Sequence, residues 1–313
     1  MTRWLFLLTV ATFSVAMELP ANSLAADQAT ESRPSAVDSR DDLKALNKTK
    51  TVLLDAKGKK LLLRSHVVLR EGLLEMLVCL KQTKEHESLL SVDMQAQIVH
   101  AGLLALGAQP GTPVRWEPEF RAATGQQIDI FFTWNDDQGK LHRDPAQSWV
   151  RHATRRYYVE KLEELPDSFS LPADSELKWD PKHKELLWYG HMSDAQRDAA
   201  LKFSKNAAFQ AAIKSIFKQS QIRKMDANWV FAGSYFLTDE KTGEKFYQAE
   251  SGDLICVANF ASATLDLAAN SSATNEDLMF EAFTEHIPPL GTEVTIELIP
   301  VFRPQEKPDK PSK

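Results

Sequence analysis

Two cysteines, Cys79 and Cys256, are all the thiol that 313 residues carry, and neither sits in a C-x-x-C pair. That scarcity removes whole chemistries. Two thiols cannot ligate a four-cysteine iron–sulfur cluster or a four-cysteine zinc site, and thioredoxin-like exchange lacks its paired motif. Positive charge is short as well: 37 Lys and Arg against 43 Asp and Glu leave a formal net charge of -6. No basic footprint for nucleic acid exists, and nucleic acid is excluded as a partner. Beyond the N-terminus, no uncharged apolar run reaches the roughly 18 residues that a membrane-spanning helix needs. Asp253 and Asp266 bracket the best candidate.

What is present begins with export. Arg3 precedes an apolar run from Trp4 to Met17, and small residues follow to Ala25-Ala26, the order of a secretory signal peptide. Residues 1–26 are expected to be removed, leaving an exported protein, periplasmic or secreted, with no membrane span after cleavage. Polar residues 27–45, including Pro34, read as a flexible linker, and the Pro- and Lys-rich end, 303–313, as a disordered tail. An apolar content of 43% between them is ordinary for a chain with a substantial core.

The folded part reads as α+β, with mixed or antiparallel sheets, packed helices and a helical insertion. Residues 46–150 form its first half. There "KTVLLDAKGKKLLLRSHVVLREGLLEMLVCL" gives three strands broken at Asp55-Ala56-Lys57-Gly58 and Arg70-Glu71-Gly72. Asp93 can cap a helix from Met94 to about Leu106, with Gly107 placed for a left-handed end, and Ala96, Val99, Leu103, Leu104 and Leu106 form an apolar stripe that includes His100. "QQIDIFFTWNDDQGKLHRD" is a hairpin turning at Asp136 to Gly139, and its spacing fails as a calcium loop. Residues 151–225 read as the helical insertion: a short helix from Tyr157 to Leu165, a capping box at Ser193 and Gln196, and a helix burying Phe209, Ile213, Ile216 and Phe217. Residues 226–302 return to strands as the second half.

The two halves echo one another. From Leu74 and again from Gly252 the chain shows an apolar strand holding a cysteine, a polar bridge, a short apolar stretch, a capped helix and a Gly-Thr-x-Val strand. Duplication into two pseudo-repeated halves is one reading, and chance similarity of common strand–helix–strand units is the other.

"CLKQTKEHESLL" with "IVHAGLLALGAQPGTPV" resembles the YdjY-type domain, a family of exported bacterial proteins, and "WVFAGSYF", "GDLICVANF" and "EAFTEHIPPLGTEV" resemble its larger form. The likeness covers about Val67 to Pro300. It implies an exported location and no particular activity. Some members carry a ferredoxin-like label, a role for which this chain lacks the cysteines.

Chemistry concentrates in the first of those strings. As an enzyme, the chain would use Cys79 as nucleophile or ligand and His86 as base, with Glu87 and His100 beside them. Against that, Cys79 lies in the apolar run "LLEMLVCL", where a cysteine is a small core residue. Lys84, His86, Glu87 and Ser88 form a polar turn, suited to binding or to local backbone satisfaction. His100 reads as a core histidine bonded to backbone or as part of the His86 cluster. Zinc on Cys79, His86, His100 and Glu87 matches no standard ligand spacing, so no metal and no cofactor are expected. "FAGSYF" lacks the second glycine of a nucleophile elbow. The expectation is a non-catalytic binding or accessory protein of the periplasm or cell envelope, with a small ligand or an envelope protein as partner.

Overall fold

The computed structural model describes residues 42–166, 171, 175–271 and 278–302. The expected signal peptide, most of the linker and the C-terminal tail lie outside the described residues. β1 (Leu43–Ala45) pairs with β2 (Val52–Asp55), so a strand begins inside the stretch read as linker. β2 turns into β3 (Lys60–Val67), which alternates buried and less buried residues at period two before β4 (Met76–Leu80). Every residue of β4 and of β5 (Ser88–Val92) is buried, as expected of strands covered on both faces. The two strands are parallel, joined only by residues 81–87, a much tighter connection than the dozen or more residues usual between parallel neighbours.

Helix α1 (Ala96–Ala105) follows, later than expected and without an Asp93 cap. Its first amides instead donate to the Glu250 carboxylate, Ala96 N and Gln97 N both at 3.0 Å. Ala96, Val99, Leu103 and Leu106 face the core, whereas Leu104 is exposed. The hairpin is present as β6 (Gln127–Asn135) and β7 (Leu141–Pro145).

The insertion is where the expected helix content fails first. After β8 (Val150–His152), residues Tyr157–Lys161 form β9, not a helix. The β-branched and aromatic residues of "YYVEK" favour an extended chain. β10 (Lys178–Asp180) and β11 (Glu185–Tyr189) complete a three-stranded antiparallel sheet in the order β10-β11-β9. Helix α2 (Asp194–Ala200), opened by the Ser193 and Gln196 capping box, and α3 (Ala207–Gln219) pack on it. Tyr158, Leu186 and Trp188 from the sheet meet Phe209, Ile213 and Ile216 from α3 in a core of their own. The insertion is therefore a small sheet-and-helix body.

β12 (Trp229–Phe231), the hairpin β13 (Phe236–Thr238) and β14 (Lys245–Tyr247), β15 (Ile255–Cys256), β16 (Leu265–Leu267), β17 (Phe280–Ala282) and β18 (Glu293–Pro300) complete the chain. β18 lies between β3 and β6, antiparallel to both, with Leu298 opposite Leu61 and Ile130. The order β3-β18-β6-β12-β16-β15-β4-β5 then returns to β3 through His66 opposite Ser91 and Val67 opposite Leu90. An eight-stranded closed barrel results, with β1, β2 and β7 as extensions of its sheet, so the expected α+β class is overturned and the fold is mostly β. Several of its strands have only two or three residues, too few to show a period in sequence. Where β12 meets β6, Gly125 (φ 140°) lets the backbones close: a Cβ there would stand 2.1 Å from the Phe231 carbonyl oxygen.

The two-half reading fails with the class. Strands from both halves share one ring, with β18 of the second half inserted between β3 and β6 of the first. Where the first half has α1, the second has strand β17, paired with β8 and followed by a 3₁₀ turn at Thr284–His286. The likeness extends only to two parallel pairs, β4 with β5 and β15 with β16.

Candidate functional site

The structure scatters the expected thiol–imidazole cluster. Cys79 has 0% exposure, and burial pushes its thiol pKa up, an effect the Ser88 side chain and Lys84 backbone only partly offset. His86 stands on the 3₁₀ turn Glu85–Glu87 with 77% of its side chain open to solvent, its recorded partner being Glu87 Oε2 at 3.7 Å. His100 sits on α1 against the edges of Phe231 and Tyr247. The Tyr247 hydroxyl donates to the Gly233 carbonyl oxygen (3.2 Å), so it accepts from His100 Nδ1–H (3.0 Å). Burial lowers the His100 pKa against the pull of the Gly233 carbonyl, keeping the ring neutral at pH 7. Cys256 is also sealed, its Sγ 3.4 Å from Met76 Sδ, and both thiols are free. Among the described residues, no group of three or more His, Cys, Asp and Glu side chains gathers at metal-ligand spacing.

What the strings do assemble is a charged corner around Lys84. The chain leaves β4 at Leu80, turns through a positive φ at Gln82, and is held by Thr83 Oγ1 donating to the Leu80 carbonyl oxygen (2.5 Å). This aims the Lys84 side chain back over the sheet. Its Nζ lies 3.0 Å from Asp253 Oδ1 and 3.6 Å from both Glu75 Oε2 and Glu87 Oε1, and 4.4 Å above the Phe260 ring. Burial works against the ammonium, but Asp253, Glu75 and Glu87 outweigh it and raise the Lys84 pKa. Lys84 is therefore a fixed cation, unsuited to imine chemistry, which needs a free amine. Burial raises the Glu75 pKa first, and neighbouring Glu87 raises it further. Ser88 lies beneath, donating to the Leu90 carbonyl oxygen at 2.9 Å.

A second carboxyl stands behind the corner. Asp266 on β16 is fully buried; its Oδ1 accepts from Leu267 N (2.7 Å) and Asn259 Nδ2 (3.1 Å), while Oδ2 has no hydrogen-bond partner. Burial pushes its pKa up to about 7. Asn259 in turn accepts from Ser271 N (2.6 Å), fixing the polar bridge after β15.

Of the residues expected to bind, Lys84 and Glu87 come together and Ser88 supports them, whereas His86 points away. Glu75, Asp253, Phe260 and Asp266 were not expected at the site. One sequence signal could have found the first of them: a lone carboxylate, Glu75, breaks the apolar run before Cys79.

No helix among the described residues is long and apolar enough to cross a membrane. No curated protein and no solved structure matches the chain. The family model described as the YdjY domain matches residues 46–158 and 199–298, leaving unmatched a stretch within the insertion. With the match spanning most of the chain, including the Lys84 corner and nearly all of the barrel, the chain belongs to the YdjY domain family.

Proposed function

We propose that the protein is an exported, non-catalytic binding or accessory component of the periplasm or cell envelope, and that the Lys84 corner faces its ligand or partner. The observation that carries this reading is the separation of Cys79 from His86, one sealed and the other turned to solvent. A thiol nucleophile needs a base within hydrogen-bond reach and a lowered pKa; here burial raises it. The corner supplies carboxylates and one ammonium at a partly open surface, a means of recognising charge and hydrogen bonds. Export rests on the order of Arg3, the apolar run to Met17 and the small residues before Asp27.

Fractionation of cells expressing the full chain tests export: the mature protein is expected outside the cytoplasm, starting at Ala26 or Asp27. Alkylation with iodoacetamide between about pH 5 and pH 7 tests catalysis, because an activated thiol reacts well below the ordinary value of about 8.5. Cys79 is expected to stay unmodified. Reaction there with a depressed apparent pKa would replace the binding reading with a thiol enzyme.

A further inference from the structure

The barrel is unevenly closed. β18 pairs through six residues with β3 and six with β6. β15, by contrast, has two residues, one registered pair with β16 (Ile255 opposite Leu265) and an irregular two-residue pairing with β4. Carboxyl groups crowd this weakest joint. Asp266 lies on β16, Asp253 just before β15 and Glu75 just before β4, and the Glu75 carbonyl accepts from Val257 N and Ala258 N (2.8 and 3.0 Å).

We propose that the β15 joint is a proton-operated opening, in which ionisation of Asp266 and Glu75 beside it parts β15 from β16 and leaves the rest of the barrel closed.

Charge placement supports this. Lys84 is the cation facing the joint, and it is already bound by Asp253, Glu75 and Glu87. On the other side of β16, β12 offers Trp229, Val230 and Phe231, with Val230 opposite Asp266 and no charge among them. Cys256 on β15 lies within the fields of Asp266, Asp253, Glu75 and Lys84, and its own pKa is pushed well up by burial, so it remains a neutral thiol. An ionised Asp266 thus adds a fully buried charge, with one oxygen already unpartnered. Burial pushes that ionisation up to about 7, and the shift of Glu75 has the same sign. Both groups bind protons more tightly in the closed form. Raising pH above their unfolded values therefore weakens closure, progressively until the folded values are passed.

Cys256 reports the opening because alkylation needs β15 to leave the sheet; Cys79, on β4, packs in the same small cluster with Met76, Cys256 and Ala263 and is followed beside it. The full-length protein is treated with iodoacetamide at about pH 6 and about pH 8, and each cysteine is followed by peptide mass with rates corrected for thiolate fraction. Cys256 is expected to gain about tenfold or more over that interval. Asp266→Asn is expected to flatten the Cys256 response. Hydrogen exchange of the unaltered protein, corrected for intrinsic rates, gives a reading that needs no variant: amides of residues 254–257 should open with pH while those of β18 do not. Protection of Cys256 at the higher pH, equal opening of the amides of residues 254–257 and of β18, or an unchanged response in Asp266→Asn would each overturn the proposal. The readout is independent of the proposed binding role, which is tested at Cys79.

Discussion

Lys84 is the cation that Glu75, Glu87 and Asp253 share, and its removal leaves three partly buried carboxylates facing one another. Breaking a fully buried pair costs about 3–5 kcal/mol. Because the Lys84 side chain is partly open to solvent, Lys84→Met is expected to cost about 2 kcal/mol near pH 7.5 in urea unfolding. The deficit should shrink towards about pH 4.5, since Glu75, whose pKa is already raised, takes up a proton there. Asp266 gives the complementary prediction. A folded pKa near 7 against an ordinary 3.8 corresponds to about 4 kcal/mol lost as pH rises through that window. Asp266→Asn has no such titration, so its melting temperature relative to the unaltered protein should improve between about pH 5 and about pH 8. An equal difference at both pH values would show that the carboxyl does not titrate. Lys84 and Glu87 could be read from "TKEHESLL" because a run of polar residues between two apolar strands has few other uses. Asp253 could not, since only the pairing of β15 with β4 brings it to Lys84.

At the scale of elements, long strands were legible and short ones were not. β3 announces itself by an apolar run after a turn signal, β6 by its apolar and β-branched residues, and the Asp136 to Gly139 turn by its residue types. "EDLMFEAFTEH" carries enough Glu, Leu, Met and Ala to look helical, yet Phe280–Ala282 is strand, because β8 and Leu73 offer it partners on both sides. Tertiary pairing overrides weak local preference in so short a segment. Helix α1 makes the same point at its start, where Glu250, distant in sequence, does the work expected of Asp93. Glu250→Ala should therefore cost about 1 kcal/mol, measured by chemical unfolding, and Asp93→Ala much less. Equal losses would return the cap to Asp93.

For the whole molecule, the described residues form two principal cores that share no buried side chain: one in the barrel, the other between the insertion's sheet and α3. Ile213→Ala should cost about 2–5 kcal/mol within the insertion. Hydrogen exchange should speed up across residues 157–219 while β3 and β18 keep their protection. Loss of protection in both would mean that the cores unfold as one. This division was half legible: the change of character near Arg151 marks the insertion, but its sheet depends on β9 pairing with β11, a strand distant in sequence. Closure of the ring was not legible, since it rests on two residue pairs joining β3 to β5.

Closure also bears on how the protein behaves in a crowd of its own kind. A sheet that returns on itself hides most of the backbone groups onto which a stranger's extended chain could zip. The two margins that the large sheet retains are poor templates: β1 has three residues, and β7 ends at Pro145, which has no amide hydrogen to give. Concentrated native protein should thus resist fibril seeding, and any assembly that does occur should begin from the insertion or the β13–β14 hairpin, whose outer strands have no such ring to protect them.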